Sequence, residues 1–93
     1  MNDEINSFLS DLVFYQNMNL VNVQEQVNNI IKYNIIDDKI IEKAFDSILD
    51  LAFWYGDEIN CLFYKLFYFY KNVDIDVSND YESYYKRILK KEL

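Results

Sequence analysis

The chain has no histidine and no proline, one glycine and one cysteine in 93 residues. Without histidine there is no imidazole for acid–base work and no Glu-x-x-His pair of the kind that builds a di-metal carboxylate bundle. A single glycine, Gly56, leaves no glycine-rich phosphate loop. A single cysteine, Cys61, rules out an internal disulfide and a cysteine metal cluster. It stands in an apolar helical stretch, where a small core residue is expected. The lack of proline fits a bundle joined by short polar turns. Bases are also scarce. Nine Lys and Arg face sixteen Asp and Glu, for a net charge of -7. Such a surface disfavours nucleic acid and anionic membranes and favours a basic partner or plain solubility.

What is present is apolar and aromatic. Hydrophobic residues make up 52% and aromatics 18%, which excludes a disordered tail. The length suits one domain, so residues 1–93 are expected to form a single helical domain. The organising stretch is 38–72. Ile41, Phe45, Ile48, Ala52 and Tyr55 recur at helical spacing, and Ile59, Leu62, Phe63, Leu66, Phe67, Tyr70 and Val73 line a second apolar face. A break at Gly56 is expected, with Asp37 or Asp38 capping the first of these helices and Asp57 and Glu58 at the start of the second. Cys61, Tyr64 and Tyr68 fall on another side of that second helix, which suggests that it is covered nearly all round.

Three further segments complete an all-α bundle of four to five short helices. Residues 3–18 carry Ile5, Phe8, Leu9, Leu12 and Val13 on one face. A turn is expected over Asn17 to Asn22. Asn22-Val23-Gln24-Glu25 then has the spacing of a capping box ahead of Val27, Ile30 and Ile31. Asn72 to Ser78 alternates apolar and acidic residues and reads as an extended linker laid on the bundle. Asn79-Asp80-Tyr81-Glu82 has capping-box spacing before a last helix with Tyr84, Tyr85, Ile88 and Leu89. Asp74, Asp76 and Asp80 lack the glycine and closing glutamate of a calcium loop and are taken as solvated charge. The opening residues do not read as a secretory signal. The apolar run from Leu49 to Tyr70 is broken by Asp57, Glu58, Asn60 and Lys65, so no membrane span and a cytoplasmic location are expected.

The clearest surface feature is an acidic ladder. Asp38, Glu42, Asp46 and Asp50 recur every four residues, with Asp57 and Glu58 just beyond. Like charges so spaced cost a few tenths of a kcal/mol per pair, and a basic partner would relieve that repulsion. Trp54, among aromatics too crowded to all turn inward, is a natural apolar anchor. Asp38, Glu42, Asp46, Asp50, Trp54, Asp57 and Glu58 are therefore the expected partner-binding residues. No catalytic, cofactor or metal site is expected. The last eleven residues carry four bases and one acid, a dipole-matched helix end rather than a nucleic-acid footprint.

In size, acidity, helix content and an acidic linker followed by a helix over 74–93, the chain resembles the small immunity proteins of colicin D-like and contact-dependent-inhibition nuclease toxins. The resemblance implies a non-catalytic inhibitor that covers the basic active site of a nuclease toxin. A phage anti-defence (anti-CRISPR) protein directed at a CRISPR effector has the same profile. The alternatives are an oligomer-forming adaptor, with a homodimer hiding surplus apolar surface on the two central helices, and a nucleic-acid-binding regulator acting through the last helix.

Overall fold

The computed structural model describes residues 18–90. Their side chains divide by helical period, and four helices result. α1 covers residues 18–32, α2 runs Asp38–Leu51, α3 Asp57–Tyr70 and α4 Ile75–Leu89. No strand occurs among the described residues. The proposed helix over residues 3–18 lies outside them except for Met18, which belongs to α1.

Each junction has a local cause. α1 ends in a Schellman turn. The Ile35 amide donates to the Ile30 carbonyl at 2.9 Å and the Asn34 amide to the Ile31 carbonyl at 3.3 Å, with Asn34 at φ 51. Asparagine tolerates this left-handed position better than most residues, and Ile35 closes the turn by packing onto the core. The Asp37 carboxylate accepts from the Lys39 and Ile40 amides and caps α2, as expected. The chain breaks around Gly56, as expected, and α3 starts at Asp57 with two acids in its first turn.

Three expected junctions differ. Residues 18–22 are helical rather than a turn, and Asn22 sits inside α1 rather than capping it. Leu20, Val23, Val27 and Ile30 reach the core together, and their packing overrides the modest helix propensity of the asparagines. Nor is the stretch from Asn72 to Ser78 an extended linker. The Asp74 carboxylate accepts from the Val77 amide at 3.1 Å, so α4 begins at Ile75 and Asn79 lies in its interior. The two-residue alternation is incidental, since Val73 and Ile75 are exposed while Val77, Ser78, Tyr81 and Tyr85 turn inward at helical spacing.

The core draws Val23, Val27 and Ile30 from α1, Ile41, Ala44, Phe45, Ile48 and Leu51 from α2, six residues from α3 and Tyr85 from α4. At its centre is an aromatic array. Phe45 stacks on Tyr81 with ring centroids 4.6 Å apart and meets Phe63 at 5.5 Å, and Phe63 stacks on Tyr85 at 4.4 Å. α4 is thus held by two tyrosines, one over α2 and one over α3. The inward faces of α2 and α3 are buried within the chain, while Ile40 on α2 and Tyr68 on α3 stay exposed. Cys61, expected in the core, is exposed. With Lys65 and Tyr68 it lies opposite the buried stripe of α3, so this helix is buried on one side only.

Ser78 is fully buried and its hydroxyl has no hydrogen-bond partner among the described residues. A buried unpaired hydroxyl costs about 1–3 kcal/mol, and alanine favours the helix. Ser78→Ala is therefore expected to stabilise the fold by about 1 kcal/mol in denaturant unfolding. Phe45→Ala opens the centre of the array and should cost about 3–5 kcal/mol by the same measurement. A loss below 1 kcal/mol would place the organising contacts elsewhere.

Candidate interaction surface

A spacing of four residues advances about 400° round a helix, so the ladder drifts by roughly 40° per step. The drift decides where each carboxylate ends up. Glu42 and Asp46 turn toward α4. The Tyr81 hydroxyl donates to Asp46 Oδ1 at 3.1 Å, with the Glu42 carbonyl at 3.5 Å. Asp38 stands at the start of α2 beside the α3–α4 connection, where the carboxylates of Asp74, Asp38, Glu42 and Asp37 all bear on Tyr70. Asp50 lies at the other end, about 18 Å along the axis from Asp38 at 1.5 Å per residue. Asp38, Asp46 and Asp50 stay exposed and Glu42 is half-buried, and the ladder runs the length of α2 from one end of the bundle to the other.

Four of the seven expected residues lie at the α2–α3 junction. Asp50 ends the ladder, Trp54 lies in the α2–α3 turn, and Asp57 and Glu58 open α3. All four are exposed. Phe53 joins them at 61% exposure beside Trp54 at 54%. Two large aromatics on a short turn cannot reach a core already filled by Leu51 and Ile59 on either side of it. None of the three carboxylates is ion-paired among the described residues, where the one side-chain salt bridge joins Lys86 and Glu82 at 3.7 Å.

Two grooves adjoin this end. One, of about 330 Å³, is lined by Asn19, Asn22, Val23, Gln26, Ser47, Asp50 and Leu51 between α1 and α2. The other, of about 290 Å³, lies between α1 and α3 and contains Glu58, exposed Cys61 and Lys65, whose ammonium donates to Asn28 Oδ1 at 2.6 Å. Both offer amides and carboxylates for a partner's donors. No group of three potential ligands among the described residues could hold a metal ion. No helix of the described residues is long and apolar enough to cross a membrane.

Sequence reasoning missed Phe53, which differs from the buried aromatics only by falling past the last turn of α2. It also missed a second exposed apolar set. Tyr33, Ile36 and Ile40 at the α1–α2 connection share one end of the bundle with Val73 and Ile75 at the α3–α4 connection. Antiparallel packing of the helices brings these two connections together, which no local pattern could indicate.

Burial, then the Asp46 charge and its hydrogen bond, hold the Tyr81 phenol well above its ordinary value. Burial likewise raises Tyr64, Tyr70 and Tyr85. The folded chain keeps these protons more tightly than the unfolded chain. The stability they contribute is present in full below about pH 10, the unfolded value, and is lost as pH rises toward the folded values. Tyr81→Phe is expected to cost about 1 kcal/mol at neutral pH through the lost hydrogen bond, and to make the fall in stability above pH 10 shallower. Denaturation midpoints measured across that range test this. An unchanged alkaline slope would remove Tyr81 from the linkage.

Comparison with protein-family models, curated proteins and solved structures finds no match to this chain.

Proposed function

We propose that the chain is a non-catalytic, cytoplasmic inhibitor that binds and neutralises a basic, nucleic-acid-binding protein, as an immunity protein neutralises a nuclease toxin. The carrying observation is the α2–α3 turn, where exposed Phe53 and Trp54 lie between Asp50 and the pair Asp57 and Glu58, three exposed carboxylates with no ion pair among the described residues. A protein that handles phosphate presents lysines and arginines. The net charge of -7 attracts such a surface at long range, and the three carboxylates orient it on approach. Charges supply rate and specificity more readily than affinity, and burial of the two aromatics supplies the latter. The partner surface would then be withheld from nucleic acid by occupation rather than by chemistry. A CRISPR effector offers the same kind of basic surface, so a phage anti-defence role rests on the same turn. An oligomer-forming adaptor would use instead the exposed set Tyr33, Ile36, Ile40, Val73 and Ile75.

The test is to recover the partner by co-purification from the native host and to follow its binding and its activity on nucleic acid. Inhibition is expected to be stoichiometric. Asp57→Asn with Glu58→Gln should slow association about tenfold at low salt, with the difference fading as salt rises. Trp54→Ala should weaken binding by about 2 kcal/mol, chiefly through faster dissociation. A partner with no action on nucleic acid would reject the inhibitor reading. Unchanged kinetics in the folded variants would move the interface away from this turn.

A further inference from the structure

The outward face of α4 carries a charge pattern that none of the features above uses. Asp76, Asn79, Asp80, Ser83, Lys86, Arg87 and Lys90 are all exposed and recur at intervals of three and four, so they form one stripe opposite Ser78, Tyr81 and Tyr85. The stripe is acidic in its first half and basic in its second, with Ser83 at the midpoint. Each half repels itself, since Asp76 and Asp80, like Lys86 and Lys90, are like charges four residues apart. Within the chain Lys86 reaches only Glu82, at the edge of the stripe, and Arg87 lies over Tyr84 at 5.9 Å. Large apolar side chains flank the stripe. At about 100° per residue, Ile75 and Leu89 fall on one side and Tyr84 on the other. They are 49%, 55% and 50% exposed.

We propose that this face pairs with the same face of a second copy, the two α4 helices running antiparallel about a two-fold axis at Ser83. A stripe whose charge reverses at its midpoint is complementary to itself when turned end for end, which is the condition for a symmetric contact. In that register Asp76 meets Lys90 of the second copy, Asp80 meets Arg87, and Asn79 meets Lys86. Every pair occurs twice. The flanks agree, because the same rotation brings Ile75 beside Leu89 of the second copy and sets the two Tyr84 rings together across the axis. The serine at the axis is small enough for close approach. α4 is about 22 Å long, and a pair of such helices falls at the low end of interface size, so association in the micromolar range or weaker is expected.

Sedimentation velocity of the full chain up to about 0.5 mM tests this, with circular dichroism reporting the fold. The native protein should move from 11.3 kDa toward twice that mass as concentration rises. Asp76→Lys with Asp80→Lys makes the stripe wholly basic, and Arg87→Glu with Lys90→Glu makes it acidic apart from Lys86. Each variant alone should stay monomeric, and an equimolar mixture should recover the doubled mass. Ser83→Lys, in mid-helix and away from the dipole ends, should abolish association with the helical spectrum unchanged, and it decides the matter if the paired substitutions unfold α4. A native protein that remains monomeric at 0.5 mM, a Ser83→Lys protein that still associates, or a mixture of folded variants that fails to do so would each overturn the proposal.

Discussion

The structure depends on how α4 is held. α1 to α3 follow one another as antiparallel neighbours with broad apolar faces, but α4 places only Ser78 and Tyr85 fully inside. Its attachment rests on Tyr81 stacked over Phe45 and Tyr85 stacked over Phe63, with Phe45 and Phe63 in contact between them. Tyrosine suits this position because one side chain supplies a large apolar ring and a polar tip. The tips are used. Tyr81 donates to Asp46 on α2, and Tyr85 donates to Asn60 Oδ1 on α3 at 3.0 Å. Two rings and two hydrogen bonds thus set both the depth and the rotation of α4.

That rotation distributes the charge. With Tyr81 and Tyr85 turned inward, Asp76, Asp80, Lys86, Arg87 and Lys90 must face outward. The hydrogen bond from Tyr81 also ties Asp46, which stays exposed, to α4. Other acids serve as caps, Asp37 for α2 and Asp74 for α4. The formal excess of acid therefore overstates the carboxylates available to a partner. Those that remain unengaged beside exposed apolar surface are concentrated at the α2–α3 turn and at the opposite end of the bundle.

These surfaces suit different chemistry. The α2–α3 turn offers one sign of charge around two aromatics and is complementary to something basic. The stripe on α4 offers both signs in mirrored order and is complementary to itself.

The all-helical class, the break at Gly56, the Asp37 cap and the buried stripes of α2 and α3 were legible in the sequence, because spacing and capping are local properties. The interior of α1 and the start of α4 were not. There, capping-box patterns at Asn22 and Asn79 suggested helix starts, but the burial of Leu20 on one side and the Asp74 cap on the other extended each helix past them. Exposure of Cys61 followed from the one-sided burial of α3, which depends on there being no further described helix over its outer face. The acidic ladder was visible as spacing, yet the hydrogen bond that ties Asp46 to Tyr81 was decided by the packing of α4. The sequence alone determined which residues could be helical and which charges the chain carries. Only the tertiary structure decided which of those charges face solvent together, because that depends on how each helix is rotated against its neighbours, and the rotation is set by aromatic contacts between residues far apart in the chain.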